Sequence, residues 1–162
     1  MTLPPAIDQP SLEKLITGIR DTAWSWDRAG FPALAERLGW TIRLENEDGA
    51  IAGGPWPAGD DAIEVTYDDG RADEVTVTLA STAGAGDVPP EFLTDVFATA
   101  VRTATAVLGE PATRTPGARR RARWRGPSHT VEIAHLGAAV NLAWAANDWL
   151  DLADRQSERA GR

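Results

Sequence analysis

The chain has 162 residues, of which 43% are hydrophobic and 25% are charged, and its formal net charge is −8. These proportions are ordinary for a globular protein, and the length suits one domain built around one core. The absence of cysteine excludes disulfides, thiolate metal sites and a cysteine nucleophile. Residues 1–10 lack the pattern of a signal peptide and no run of about 18 apolar residues occurs, so we expect a cytoplasmic protein that does not enter a membrane.

Charge is distributed unevenly along the chain. Residues 1–87 carry 16 acidic and 6 basic side chains, whereas residues 88–162 carry 8 acidic and 10 basic ones. An acidic surface repels the phosphates that dominate nucleic-acid binding, so this distribution disfavours nucleic acid as a ligand. It complements a basic protein surface instead.

The N-terminal half predicts two helices and two β-hairpins. Ser11 is expected to cap the first helix, whose apolar side chains recur at helical spacing, and Phe31-Pro32 begins a second, short helix that ends at Gly39. Alternating apolar residues predict hairpins over 41–52 and 63–79. The Gly-Gly-Pro-Trp-Pro-Ala-Gly segment, residues 53–59, is predicted to be a loop.

The C-terminal half predicts a long helix from about Pro90 to Leu108, a loop over 110–117, three strands, and a short last helix from Asn147 to Leu152. Strands grouped in this way indicate an α+β fold with a mainly antiparallel sheet and helices mainly on one face. We expect an N-terminal extension over 1–10, a single α+β domain over 11–154 and a flexible tail over 155–162.

A search for chemistry finds no catalytic, cofactor or metal site. His129 and His135 share one predicted strand about 20 Å apart, too far to chelate one metal ion. The glycine-containing stretches 53–55 and 84–87 lack the features of phosphate-binding loops, and Ser128-His129 does not form a nucleophile elbow.

Acidic residues cluster in the predicted turns. Solvated turns are the plain interpretation; the functional one is that several turns converge on one end of the sheet and steer a basic partner. Trp56, held rigidly between two prolines, is expected to be exposed beside these acids as a binding hot spot. The predicted partner-binding residues are Glu47, Asp48, Trp56, Asp60, Asp61, Asp68 and Asp69.

The basic run Arg119, Arg120, Arg121, Arg123 and Arg125 includes Trp124. Arginine with an interleaved aromatic can bind single-stranded nucleic acid by phosphate pairing and stacking. The alternation favours an exposed strand whose arginine face pairs with the protein's own acids. Whether the run also binds a partner is left open.

Several motifs carry a resemblance to a known family. They are Trp24-Ser25-Trp26, the segment 30–40, Leu108-Gly109-Glu110-Pro111 and Trp124-Arg125-Gly126. Over about residues 11–150 the sequence resembles a family of small, uncharacterised actinobacterial proteins. This family is similar to immunity proteins of polymorphic toxin systems in size, acidity and layout, and to type III secretion chaperone-like folds in element order. The resemblance implies protein binding and supplies no catalytic residue.

Two functional hypotheses follow. The first is an immunity or chaperone-like protein that masks a cognate partner, such as a basic toxin domain, with its acidic surface. The second is a small-molecule-binding domain or an enzyme with an unrecognised site, in a pocket near Tyr67, Trp124 and Trp144. The oligomeric state is left open, and self-association through a strand edge is compatible with either hypothesis.

Overall fold

A computed structural model describes residues 3–161, which form two halves of the same design. The first half contains the helices α1 (Gln9–Asp21) and α2 (Phe31–Leu38) and the strands β1 (Thr41–Glu45), β2 (Gly49–Gly53), β3 (Ile63–Asp68) and β4 (Arg71–Ser81). The second half contains α3 (Glu91–Leu108), the strands β5 (Thr113–Thr115), β6 (Arg121–Arg125), β7 (His129–Leu136) and β8 (Ala139–Ala146), and then α4 (Asn147–Ala160). The predicted α+β class is confirmed.

All the strands join one eight-stranded antiparallel sheet in the order β1-β2-β3-β4-β8-β7-β6-β5. Each half is a four-stranded meander preceded by helix, and the last strands of the two halves, β4 and β8, pair at the centre. The topology is therefore repeated within the chain although the sequence shows no repeat.

Helix boundaries follow the expected capping rules with one correction. Asp8, not Ser11, caps α1: the backbone N–H of Ser11 donates to the Asp8 carboxylate at 3.0 Å. Ser11 lies inside the first turn, which begins before it and includes Pro10. Proline is favourable there because it has no N–H that needs a partner. Gly39 ends α2 with φ 76°, as predicted, and Gly109 follows the last residue of α3.

The core lies between one face of the sheet and α1, α2 and α3. Alternate strand residues fill it, among them Ile63, Val75, Leu142 and Trp144, each at most 1% exposed. By contrast, α4 packs on the opposite face, over Ala143 and Ala145 of β8 and beside Glu132 of β7. The predicted placement of helices mainly on one face holds for α1 to α3, and α4 is the exception.

The long strand β4 extends beyond its neighbours, and two other segments pair with its ends. Near its C-terminal end, Ala6 bridges Ala80 and the Ile7 N–H donates to the Leu79 carbonyl at 2.8 Å. At its N-terminal end, the Ala72 N–H donates to the Trp26 carbonyl at 2.7 Å. Residues 6–10 of the predicted extension are therefore part of the folded domain.

Two sequence predictions in the C-terminal half are wrong. The predicted loop over 110–117 contains the short strand β5, which pairs with β6. The last helix continues to Ala160 rather than ending at Leu152, so residues 155–160 are helical, and residue 162 lies outside the described part. Within residues 3–161, no helix is long and apolar enough to cross a membrane.

Candidate protein-binding surface

Four of the predicted acidic residues share one end of the sheet. Glu47 and Asp48 occupy the turn between β1 and β2, Asp68 is the last residue of β3, and Asp69 begins the turn between β3 and β4. The two turns are adjacent because β2 pairs with β3, and the Tyr67 N–H donates to the Asp48 carbonyl at 2.9 Å. We call Glu47, Asp48, Asp68 and Asp69 the acidic end; all four are exposed.

Local hydrogen bonds hold both turns in place. The Asn46 side chain accepts from the backbone N–H groups of Asp48 and Gly49 at 2.8 and 3.1 Å. Asp69 and Gly70 have φ of 51° and 76°, which is the backbone of a two-residue hairpin turn. The backbone that carries the acidic side chains therefore has a defined conformation.

The acidic end creates a negative local field. Burial, and then the charge of Asp68, raise the pKa of the Asp73 carboxyl, while Arg71 opposes the shift. Nearby cations are engaged elsewhere: Arg71 pairs with Asp148 at 2.7 Å, and Arg28 lies 4.0 Å from Glu45. Among the described residues, none of the four acidic-end carboxylates forms an ion pair.

Asp60 and Asp61 lie at the other end of the sheet. They belong to the connection between β2 and β3, and successive strands of a meander run in opposite directions, so this connection is remote from the acidic end. Asp61 also pairs with Arg43 at 2.5 Å. The predicted acidic surface is thus divided into two parts.

Trp56 is buried, at 7% exposure, so its prediction as an exposed hot spot is wrong. The loop folds back on itself because the Gly54 N–H donates to the Gly59 carbonyl at 2.9 Å. The indole ring then lies directly over Gly54, where any Cβ would collide with it at 2.1 Å. The absence of a side chain at Gly54 makes room for the ring.

The second hypothesis placed a pocket near Tyr67, Trp124 and Trp144, and of these three residues Trp144 lines an open cavity of about 340 Å³ together with Ser128 and His129. All three side chains are in the core, at 6%, 6% and 1% exposure. Tyr67 donates to Glu45 at 3.2 Å, and Trp124 donates to the Gly109 carbonyl at 2.8 Å. Burial, and then the Glu45 charge, raise the pKa of Tyr67, so its hydroxyl stays protonated.

The histidines offer no metal site. His129 packs edge-on against Trp144, with ring centroids 5.8 Å apart, and burial lowers its pKa. His135 lies at the other end of the same strand. In the part of the chain from residue 3 to residue 161, no three His, Cys, Asp or Glu side chains are grouped to hold a metal ion.

The arginine run divides into two parts. On β6, Arg121, Arg123 and Arg125 lie on the outer face and pair with Glu132, Asp154 and Asp151. This agrees with the expectation that the run neutralises the protein's own acids. Arg119 and Arg120 precede the strand and are absent from these pairs within the described residues.

One family model matches residues 10–146, from the start of α1 to the end of β8; it is described as a family of unknown function, DUF6301. The chain belongs to this family. The match includes both meanders and the acidic end, whereas α4 follows it. No curated protein and no solved structure gave a match.

The sequence also missed two structural features beside these sites. One is the edge strand β5 with Arg114, whose only signal is a Thr-Arg-Thr alternation between two prolines. The other is the pairing of α4 with the sheet, in which Asp151 and Asp154 contact β6 and Asp148 contacts β4. Its signal is the set of acids at 148, 151 and 154 at helical spacing.

Proposed function

We propose that this protein is a protein-binding module, an immunity or chaperone-like protein that masks a basic cognate partner. The observation that carries this proposal is the acidic end itself: four exposed carboxylates on two adjacent, rigid turns without internal ion pairs among the described residues. A cytoplasmic location is part of the proposal.

Masking would combine electrostatic attraction with steric cover. Exposed charges of one sign speed the encounter with an oppositely charged surface and orient it. Because the two hairpin turns are already ordered, little conformational entropy is lost when a partner binds them. A toxin domain whose active surface is basic would be blocked by such an end.

A cavity of about 390 Å³ favours a second candidate, small-molecule binding. It lies between α1, α2 and the Trp56 loop, with Leu15, Leu38 and Trp40 in its wall and Lys14 and Arg37 at its rim. Its size is typical of ligand sites. A bound metabolite, rather than a polypeptide, would be the ligand in that case.

The test uses three tagged baits: the wild type, the E47Q/D48N/D68N/D69N variant of the acidic end, and the control D60N/D61N at the opposite end. Each bait is used to capture partners from the source lysate, followed by mass spectrometry. The captured polypeptide is then expressed alone and together with the bait in a growth assay.

We expect the wild type and D60N/D61N to retain one basic polypeptide that the acidic-end variant loses, and the wild type to rescue growth. Equal capture by all three baits would contradict the proposed surface. A retained metabolite without any polypeptide would favour the second candidate.

A further inference from the structure

A groove of about 560 Å³ lies between α3 and the edge of the sheet formed by β5 and β6. Its apolar floor consists of Phe97 and Val101 from α3 and Ala122 from β6, and Arg114 and Arg120 are among its polar lining residues. We call it the arginine groove. It shares no residue with the acidic end, so an inference about this groove can be tested independently of the proposed function.

Arg114 and Arg120, two of the three arginines that line this groove, have few polar partners among the described residues, whereas Arg121 pairs with Glu132. Arg114 reaches Glu110 at 3.4 Å, and both side chains are mostly exposed, at 58% and 81%. Arg120 lies over the Phe97 ring, 6.0 Å from its centroid. Its Nε–H is buried and has no acceptor in the described part of the chain.

A buried N–H without an acceptor is costly, and most such groups in native proteins have a partner. An incoming carboxylate would pair with the guanidinium groups of Arg120 and Arg114, both of which line the groove. Charge-assisted hydrogen bonds of this kind are stronger than neutral ones. The electrostatics of the groove therefore fit an anionic ligand even though the whole chain is acidic.

The backbone beside the groove is an open strand edge. β5 is the last strand of the sheet and pairs on one side with β6. All three of its residues are exposed, and in residues 3–161 no strand pairs with its other side. An unpaired edge is a template for another extended chain, whose alternate side chains would fall on opposite faces of the sheet.

We propose that the arginine groove binds an acidic, extended segment of a partner protein. The segment adds as a strand to the edge of β5, and the acidic side chains on its α3-facing side pair with Arg114 and Arg120, since Arg114 lies opposite Ala122 of the groove floor.

Single-stranded nucleic acid fits this groove less well. Nucleic acid needs aromatic faces on which bases can stack. The one aromatic side chain in the groove, Phe97, is half-buried and covered by Arg120. The net charge of −8 repels a polyphosphate, whereas a short peptide carries only a few negative charges.

The experiment measures fluorescence anisotropy with a labelled peptide of alternating valine and glutamate. The comparison probes are the same peptide with alternate residues N-methylated, which cannot pair along a strand edge, and labelled oligothymidylate. The protein variants are Arg114→Glu, Arg120→Gln and the control Arg159→Glu, an exposed arginine near the end of α4, which packs on the other face of the sheet.

We expect the wild type and Arg159→Glu to bind the peptide equally, and Arg114→Glu and Arg120→Gln each to weaken binding by about tenfold. Arg114→Glu is decisive, because this side chain is exposed and its replacement leaves the core intact. N-methylation should abolish binding.

Three results would overturn the proposal. They are no binding of the peptide to the wild type, equal binding of the N-methylated peptide, and binding of oligothymidylate that is tighter than that of the peptide and equally sensitive to Arg114→Glu.

Discussion

Arg123 of β6 and Asp154 of α4 form a two-point ion pair across the outer face of the sheet. The Arg123 Nη1 lies 2.8 Å from one Asp154 oxygen, and Nη2 lies 3.2 Å from the other. Glu132 of β7 also contacts the same guanidinium, whose pKa these hydrogen bonds raise. Asn147 is the one buried residue of α4 among those described, so these ion pairs and the half-buried Trp149 and Leu150 attach the rest of the helix to the sheet.

The two partners of this ion pair should differ in importance. Asp154→Asn should lower the free energy of unfolding by about 1 kcal/mol, because Asp154 is partly exposed and Arg123 keeps Glu132. Arg123→Gln should cost about 2–3 kcal/mol, because it leaves Glu132, 16% exposed, without its nearest cation. Urea unfolding measures both, with the exposed Glu158→Gln as a control; equal losses would contradict this order.

Glu74 of β4 should destabilise the protein when it is ionised. Burial raises its pKa, so the charged form is penalised in the folded state. The stability of the fold is therefore higher when Glu74 is protonated, below its unfolded pKa of about 4.3. This advantage is lost as the pH rises through the higher folded pKa. Glu74→Gln should therefore raise the free energy of unfolding at pH near 7 and not near 4. Urea midpoints at both pH values measure this, with Glu64→Gln, at an exposed position of β3, as the control.

His129 should produce the opposite dependence. Burial lowers its pKa, so its neutral form is favoured in the folded state. The stability that it contributes is present above its unfolded pKa of about 6.5 and is lost as the pH falls through the lower folded value. When the pH is lowered from the unfolded pKa to the folded pKa, the urea midpoint of His129→Gln should fall less than that of the wild type. Parallel curves for the two proteins would show that His129 does not titrate as described.

Gly54→Ala should displace Trp56 from the core. The new Cβ would lie 2.1 Å from the indole ring, and the ring cannot move without leaving its buried position. We expect a loss of about 3 kcal/mol, in the range of buried tryptophan substitutions. Gly86→Ala is the matched control, because its Cβ meets open space, and it should change stability by less than about 0.5 kcal/mol. Urea unfolding and acrylamide quenching would report the two changes; a stable Gly54→Ala with unchanged quenching would contradict the packing.

Much of the fold was predictable because the spacing of apolar residues and the positions of turn residues indicate the same local elements. The alternation in β3 and β4, with Asp69-Gly70 between them, defines a hairpin before any tertiary contact is known. Strand β5 escaped prediction because three residues are too few to show a period. The full length of α4 depends on pairing with the outer face of β6, which appears only when the sheet is assembled.

The candidate surface was predictable in part for a similar reason. Carboxylates in turns identified Glu47 and Asp68, and the direction of meander strands explains why Asp60 lies at the other end. Trp56 could not be placed, because its burial depends on the loop closing over a residue without Cβ. The arginine groove could not be predicted, because it forms where α3 meets β5 and no local sequence pattern indicates that contact.

The most direct test of the central claim is the association rate constant of the captured partner, measured by stopped flow at low and high salt. The account predicts that E47Q/D48N/D68N/D69N binds roughly tenfold more slowly than the wild type at low salt and loses most of the salt dependence. The D60N/D61N control should match the wild type. An unchanged rate and salt dependence in the acidic-end variant would contradict the claim that this end recognises the partner.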